Sequence, residues 1–252
     1  MKLIFLGSGS IEFDDFTNFQ SNMLLESDKG RRLLIDCGAD CRYSLDKLGL
    51  TYRDIHEVLI TRVGLEQSGG LIWLGMQRMF NPECKPPILH LDMNLHPYLW
   101  DHYLSAEMES IQSQVARLET FFDVRLMTDK APFSWDRFHF TFFRHSSEKE
   151  ILGVAIDDRE SHILICFENE LFLEYDVYEK FDIIFQSCRT RSESVLPQSH
   201  IQALAKLPDT IKSKMWLYHF DPGELPNAKD QGFLGFVSRG QEFAFLNGNI
   251  KL

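Results

Sequence analysis

Residues 55–71, with the sequence IHEVLITRVGLEQSGGL, contain the clearest structural signal in the chain. Residues 55–60 form a short apolar run of the kind that makes a buried strand. Gly64 and the pair Gly69-Gly70 interrupt this pattern and indicate a loop, and residues 71–80 have the composition of a helix. The stretch therefore predicts a strand, a glycine-containing loop and a helix in succession.

Other predicted elements lie on both sides of this stretch. The predicted strands are residues 2–6, 21–26, 32–35, 138–143, 153–156, 163–167, 182–185 and 215–219. The predicted helices are residues 42–48, 71–80, a stretch near 105–118, 175–180 and 198–207. Residues 233–237 and 242–246 are expected to form a closing hairpin around Ser238-Arg239-Gly240, and residues 81–130 are otherwise less regular. This mixture predicts the α/β class and a single layered domain spanning residues 1–252.

The composition is that of a soluble globular protein, with 44% hydrophobic and 25% charged residues among 252. A net charge of −11 argues against broad nucleic-acid binding, because phosphate contacts need clustered Lys and Arg. No run approaches the roughly 20 apolar residues of a membrane span, and the apolar N-terminus is too short for a signal peptide. The five cysteines are scattered and odd in number, which favours reduced thiols. We therefore expect a cytoplasmic protein without a membrane partner.

Several separate segments resemble the metallo-β-lactamase-fold hydrolases, especially the branch of ribonuclease Z and the cyclic phosphodiesterases. They occur in the expected order and with the expected spacing. The segments are KLIFLGSGS at 2–10, LLIDCG at 33–38, RYSL at 42–45, LGL at 48–50, IHEVLIT at 55–61 and SGGL at 68–71. The resemblance covers nearly the whole chain and implies a four-layer αββα metallo-β-lactamase sandwich with a pocket at one edge of its two sheets.

The loop at residues 62–67 departs from the family pattern at the metal ligands. Hydrolases of this fold carry His-x-His-x-Asp-His there, and these side chains hold two metal ions. This chain has Arg-Val-Gly-Leu-Glu-Gln instead. The guanidinium of Arg62 has no lone pair to give a cation, and Gly64 has no side chain. Glu66 keeps a carboxylate on a longer arm, whereas Gln67 offers only a neutral oxygen.

The downstream positions that the resemblance implies are better kept. His145 fits the histidine of the third family motif, and Glu168 stands where the family has a bridging Asp. His219 fits the last metal-binding histidine, and His200 fits a histidine near the reacting phosphate. Ser187 falls where relatives have a short polar or acidic residue.

Two features upstream of the loop have alternative interpretations. Asp36 matches a residue that orients the metal loop in this fold, or it forms a simple hydrogen bond to turn backbone. The glycine loop Gly7-Ser8-Gly9-Ser10 contacts phosphate through its backbone N–H groups, or it is only a tight turn.

The metal content also has two interpretations. In one, Glu66, Glu168 and His219 weakly hold one zinc, manganese or iron ion, with Gln67 or water as a fourth ligand. In the other, no metal binds, and Arg62 forms a salt bridge with a carboxylate that would otherwise be buried unpaired. Arg62, Gln67, Asp36 and Ser187 are expected to line the pocket in either case.

Three functions follow from these interpretations. The first is a non-catalytic binding or regulatory homologue that pairs with itself or with an active paralogue and binds a small phosphate-containing ligand. The second is a phosphodiesterase-like hydrolase that uses one metal, with His145 or His200 as the general acid. The third is a redox member of the fold with a carboxylate-rich iron site. We favour the first, because ligand positions 62, 64, 67 and 168 are altered while the scaffold motifs are intact.

Overall fold

The computed structural model describes residues 1–13, 17–111, 114–128, 133–144, 151–157, 160–167, 176–191, 200–246 and 249–251. The chain divides into two compact units. The first unit comprises Met1–Leu6 and Asn22–Ala131, and the second comprises Gly7–Ser21 and Pro132–Leu252. Each unit contains strands of one large sheet together with helices. This is the mixed α/β organisation that the resemblance implies.

Six strands of the first unit lie in the order β1-β2-β3-β4-β5-β8. Their bounds are β1 Lys2–Phe5, β2 Met23–Glu26, β3 Arg32–Ile35, β4 Glu57–Ile60, β5 Ile88–Asp92 and β8 Asp123–Met127. β1, β2 and β3 pair in antiparallel fashion, and the turn before β3 uses Gly30 at φ 75°. From β3 to β8 the pairing is parallel, with Leu34 opposite Val58. The ends of these parallel strands therefore lie at one edge, where the loop at 62–67 begins.

The helices of the first unit bury apolar residues together with this sheet. They are α1 Cys41–Lys47, α2 Leu65–Ser68, α3 Leu71–Met79, α4 His96–Leu99, α5 Ser105–Met108 and α6 Leu118–Phe121. A 3-10 turn covers Tyr52–Asp54, and a π-helical segment, Trp100–Leu104, joins α4 to α5. Leu45, Leu71 and Leu74 belong to the same buried cluster as the strand residues. The predicted strand, loop and helix over residues 55–80 are confirmed.

The helix expected near residues 105–118 is wrong over most of its length. α5 ends at Met108, and a two-stranded hairpin follows, with β6 Ser110–Ile111 and β7 Gln114–Val115. A bond from the N–H of Ala116 to the carbonyl of Glu109, at 2.6 Å, closes this hairpin. Val115, inside the expected helix, is 82% exposed in the hairpin, so tertiary context overrides the local pattern.

Seven strands of the second unit lie in the order β15-β14-β13-β12-β11-β10-β9. Their bounds are β9 Phe133–Trp135, β10 Phe138–Arg144, β11 Ile151–Asp157, β12 His162–Cys166, β13 Ile183–Ser187, β14 Met215–Tyr218 and β15 Gly235–Phe236. β9 to β12 pair in antiparallel fashion, and β12 to β15 pair in parallel. The helices are α7 Asp176–Glu179, α8 Ile201–Leu204 and α9 Asp209–Lys212, with a 3-10 turn at Lys229–Gln231. Leu164, Ile184 and Leu217 share a buried cluster with residues of α7, α8 and α9.

The closing hairpin predicted for residues 233–246 is also wrong. β16 Glu242–Leu246 pairs with β17 Asn249–Lys251, whereas β15 pairs with β14. The turn itself forms, since Gln241 donates to the Ser238 carbonyl at 3.0 Å and Gly240 has φ 77°. However, the N–H groups of Leu234 and Val237 bond to carbonyls of Met215 and Leu217, so this segment extends the sheet at β14.

Among the described residues, the helices are too short and too polar to cross a lipid bilayer.

Candidate functional site

The loop that follows β4 is fixed at its first residue by Asp36. The N–H of Thr61 donates to Asp36 Oδ1 at 2.9 Å, and the Thr61 hydroxyl lies 3.0 and 2.8 Å from the two carboxylate oxygens. Asp36 follows β3 and has a left-handed backbone, with φ 61°, which Asp tolerates better than most residues. The predicted pocket residue Asp36 therefore contacts the start of the loop directly.

The environment of Asp36 disfavours its ionised form. Burial raises the pKa of this carboxyl from 3.8 to about 7. The hydrogen bonds from Thr61 and the positive charge of Arg62 act in the opposite direction, and the negative charge of Glu66 adds to the rise. Arg62 and Glu66 thus both interact electrostatically with Asp36 at the loop of residues 62–67.

A second set of bonds fixes the remainder of the loop. Cys37 N–H donates to the Gln67 carbonyl at 2.7 Å, and Ala39 N–H donates to the Leu65 carbonyl at 3.0 Å. The side chain of Asn22 donates to the Glu66 carbonyl at 2.9 Å and accepts from Gly38 N–H at 2.6 Å. The sequence pattern missed Asn22, because it lies next to the apolar run of β2 and belongs to no recognised motif.

Two glycines of the loop have different physical roles. A Cβ at Gly70 would lie 2.3 Å from the Gly38 carbonyl oxygen, so packing requires glycine there. Gly64 has an extended backbone, with φ 175°, and a Cβ there would meet only the flexible end of Gln67 at 3.1 Å. The backbone therefore does not require glycine at residue 64, and a Cβ there would need only a small shift of the Gln67 side chain.

The residues at 62 and 64 do not fit the first metal of the family's motif. Arg62 brings a positive charge and no lone pair, and Gly64 brings no donor. Within the part of the chain that the structure describes, three or more His, Cys, Asp or Glu side chains do not cluster as metal ligands. His145 and Glu168, predicted as catalytic and metal-binding residues, lie outside the described residues. The ligand set of Glu66, Glu168 and His219 stays a prediction.

In the second unit, the structure brings Ser187 and His219 together. Ser187 ends β13, His219 follows β14, and Nδ1 of His219 lies 3.1 Å from the Ser187 hydroxyl. His219 has φ 60°, and its N–H donates to the Ser8 carbonyl at 2.8 Å. One ring nitrogen of the histidine is thereby oriented by a neighbouring hydroxyl.

His200 directly precedes α8 and caps it. Its Nδ1 accepts the N–H of Gln202 at 3.2 Å, which orients the ring at the start of the helix. The N–H of Ile201 donates to the Arg189 carbonyl at 3.0 Å, which places the histidine beside the segment after β13. The general-acid role predicted for His200 stays a prediction.

The glycine loop uses its backbone donors within the protein. Ser8 N–H donates to Asn18 Oδ1 at 3.1 Å, Gly9 N–H to the Phe19 carbonyl at 3.0 Å and Ser10 N–H to the Phe220 carbonyl at 3.0 Å. These groups are therefore not directed at a ligand. Of the two interpretations of this loop, the tight turn fits the structure.

Comparison with known proteins gives consistent relatives. A family model described as "Anti-Pycsar protein Apyc1" matches residues 1–243. An Anti-Pycsar protein Apyc1 from Paenibacillus harenae is 31% identical over 224 residues, which cover 87% of this chain and 90% of that protein.

The solved structures that match share the fold at low identity. The metallo-β-lactamase fold protein YhfI from Bacillus subtilis has a TM-score of 0.72 at 12% identity, covering 96% of this chain and 99% of that one. The short form of human tRNase Z has a TM-score of 0.67 at 15% identity, covering 97% and 99%. Zn²⁺-bound PqqB from Methylobacterium extorquens has a TM-score of 0.69 at 12% identity, covering 97% and 100%. The predicted metallo-β-lactamase sandwich and the resemblance to the ribonuclease Z branch are confirmed.

We predict that Asp36→Asn changes how stability depends on pH. Because the folded pKa, about 7, lies above the usual 3.8, the unfolded chain loses this proton first as pH rises. The folded state is therefore progressively destabilised between about pH 4 and pH 7, by up to about 1.4 kcal/mol per pH unit. The asparagine cannot ionise and should lack this contribution, so the variant gains stability relative to the wild type over this range.

The measurement is urea unfolding of both proteins at several pH values from 4.5 to 7.5. Equal pH slopes for the free energy of unfolding would contradict a raised pKa of Asp36.

Proposed function

Because the chain belongs to the Anti-Pycsar protein Apyc1 family, we propose that it is a member that binds its ligand without two-metal hydrolysis. The observation that carries this proposal is the donor chemistry of the loop after β4. Arg62 and Gly64 stand where the family motif places two imidazoles, and neither can ligate a cation.

The contacts that hold the backbone of the loop are retained, which supports a loss of metal ligands alone and not of the surrounding structure. Asp36 and Asn22 still bond to the loop, and Gly70 still packs against Gly38. These contacts involve neither residue 62 nor residue 64. The scaffold is therefore expected to stay folded without a metal ion.

Arg62 is proposed to take over part of the electrostatic role of the missing metal. Its positive charge lowers the pKa of Asp36, while the charge of Glu66 raises it. A fixed cation on the protein can offset the repulsion between these two carboxylates, as a bound ion would. The same cation would repel a divalent metal.

The proposed ligand is a small phosphate-containing molecule of the cyclic phosphodiester class. The name of the relatives, Anti-Pycsar protein, describes action against Pycsar, and we propose that this chain acts in the same setting as a binding or regulatory protein. Pairing with itself or with an active paralogue would give such a protein a regulatory role. We further propose that it is cytoplasmic, which is compatible with its five free cysteines.

The alternative is a phosphodiesterase-like hydrolase with one metal held by Glu66, Glu168 and His219. Two observations favour keeping it. Glu66 retains a carboxylate, and His219 is held at the end of β14 by Ser187. Three protein ligands and a water suffice for a catalytic zinc. His145 or His200 would then be the general acid.

The first prediction of the proposed function concerns the wild-type protein. Purified without chelators, it should contain far less than one zinc, manganese or iron per chain, because Arg62 and Gly64 remove two donors. It should also fail to hydrolyse bis-p-nitrophenyl phosphate or a 3′,5′-cyclic nucleotide with added manganese. Elemental analysis and product chromatography measure the two properties. Stoichiometric metal together with turnover would reject the proposal and support the single-metal alternative.

The second prediction concerns restoration of the motif. The variant Arg62→His, Gly64→His, Glu66→Asp and Gln67→His regains the family's loop ligands, and a Cβ at residue 64 would meet only the side chain of Gln67, which the variant also replaces. It should bind zinc or manganese near stoichiometry and gain hydrolysis of bis-p-nitrophenyl phosphate. Arg62→His alone is the matched control and should gain neither. A restored variant that folds by circular dichroism but binds no metal would show that the loss is not confined to this loop.

The third prediction concerns Arg62 itself. Arg62→Ala leaves Glu66 and Asp36 without this cation and should destabilise the metal-free protein by about 1 kcal/mol, since the side chain is only half-buried. Arg125→Ala, which removes an exposed arginine paired with Asp123 at 3.1 Å, is the control. Urea unfolding measures both changes. Equal stability of Arg62→Ala and wild type would argue against the electrostatic role.

A further inference from the structure

Two arginines and two carboxylates form a charged cluster in the second unit, in addition to the residues already described. Arg189 and Arg191 follow β13, Asp221 follows β14, and Glu12 follows the glycine loop. Arg189 pairs with Asp221 Oδ1 at 2.6 Å and also contacts the carboxylate of Glu12. Arg191 pairs with the second oxygen of Glu12 at 2.8 Å. Both arginines therefore bind the same Glu12 carboxylate.

The two carboxylates of the cluster differ in burial and in their partners. The Asp221 side chain is 0% exposed, and its Oδ2 accepts the N–H groups of Thr190 and Arg191 at 2.8 and 2.9 Å. Asp221 is therefore a structural anchor for the segment that carries both arginines. The Glu12 side chain is 36% exposed, and it forms ion pairs with the two guanidinium groups. Glu12 is the member that another anion can replace.

We propose that Arg189 and Arg191 form a binding site for the phosphate of a phosphodiester, and that Glu12 occupies this site when the ligand is absent. The two arginines and Asp221 together carry a net charge of one positive unit. The carboxylate of Glu12 balances this charge. A phosphodiester also carries one negative charge. Like a carboxylate, it offers two oxygens to guanidinium groups. The ligand class rests on the proposed function, whereas the anion site rests on this cluster.

Glu12 can leave the arginines without a change in the backbone. Its neighbour Phe13 packs edge-on against Phe220, with ring centroids 6.1 Å apart, and this contact holds the segment in place. Because Glu12 is partly exposed, rotation of its side chain toward solvent suffices. An exposed ion pair contributes little to stability, so a phosphate can compete with it. Arg191, with a side chain 56% exposed, is accessible to the incoming anion.

The position of the cluster is suited to ligand binding. The Arg189 carbonyl accepts the N–H of Ile201, the residue after His200. The N–H of Ser10, two residues before Glu12, donates to the Phe220 carbonyl, next to His219. A phosphate held by the arginines would therefore lie near both histidines that the resemblance associates with the reacting phosphate and the last metal.

The experiment measures binding of two probes, inorganic phosphate and a 3′,5′-cyclic nucleotide, by isothermal titration calorimetry at low ionic strength. Glu12→Gln removes the internal competitor and should tighten binding about two- to five-fold. Arg191→Gln removes a charge-assisted donor and should weaken binding about ten-fold or more. Arg191 is chosen because Arg189 also neutralises the buried Asp221, and its loss would disturb folding. The matched control is Asp123→Asn, which removes an exposed carboxylate that pairs with one arginine, Arg125. This variant should bind both probes with wild-type affinity.

Wild-type affinity in both Glu12→Gln and Arg191→Gln, or no binding of either probe at millimolar concentration, would overturn the proposal. Thermal unfolding of each variant without ligand shows whether folding is intact. Tighter binding by Glu12→Gln cannot arise from a loss of structure, because unfolding would weaken binding. Product chromatography of the cyclic-nucleotide samples tests the proposed function separately. Inorganic phosphate has no ester to hydrolyse. The ranking of its affinity for wild type, Glu12→Gln and Arg191→Gln therefore tests the anion site even if the nucleotide is hydrolysed.

Discussion

The bond between Asp36 and Thr61 is the constraint on which the geometry of the candidate site depends. It joins the end of β3 to the end of β4, two parallel neighbours, and so fixes where the loop at 62–67 leaves the sheet. The carboxylate is buried, and its ionised form is costly there, which is why its pKa rises to about 7. Three of its hydrogen-bond contacts go to Thr61, a residue that is not a metal ligand. The start of the loop is therefore held by the protein alone.

Because of this constraint, the backbone conformation of the loop does not depend on the chemistry of its side chains. Asn22 and the backbone of residues 37–39 hold the carbonyl groups of residues 65–67, so none of these contacts depends on which side chains the loop presents. The side chains can then change from imidazoles to a guanidinium and a hydrogen atom while the strand and loop remain. The family assignment is compatible with arginine at residue 62 and glycine at residue 64 for this reason.

Much of the fold could be predicted from the sequence where apolar runs and family segments coincide. β1 to β4, α1 and α3 were predicted within about two residues, because burial on both faces gives continuous apolar runs. β5 and β8 were missed, since residues 81–130 contain several prolines and short strands with mixed polarity. The hairpin expected at residues 233–246 failed because the turn around Gly240 forms locally, while strand pairing is decided by distant partners in β14.

The candidate site was predictable only in part. The family segments place Asp36, Ser187, His200 and His219 at strand or helix ends, and the structure describes each there, whereas their roles in a site stay predictions. The charged cluster of Glu12, Arg189, Arg191 and Asp221 was not found, because its members are up to 209 positions apart in sequence and share no spacing.

The extended conformation of Gly64 has a consequence for substitution at this position. The backbone there is not left-handed, and the only close neighbour of an added Cβ is the flexible end of the Gln67 side chain, so residues other than glycine are compatible with this position. A substitution at residue 64 can therefore add a side chain to this loop without straining the backbone.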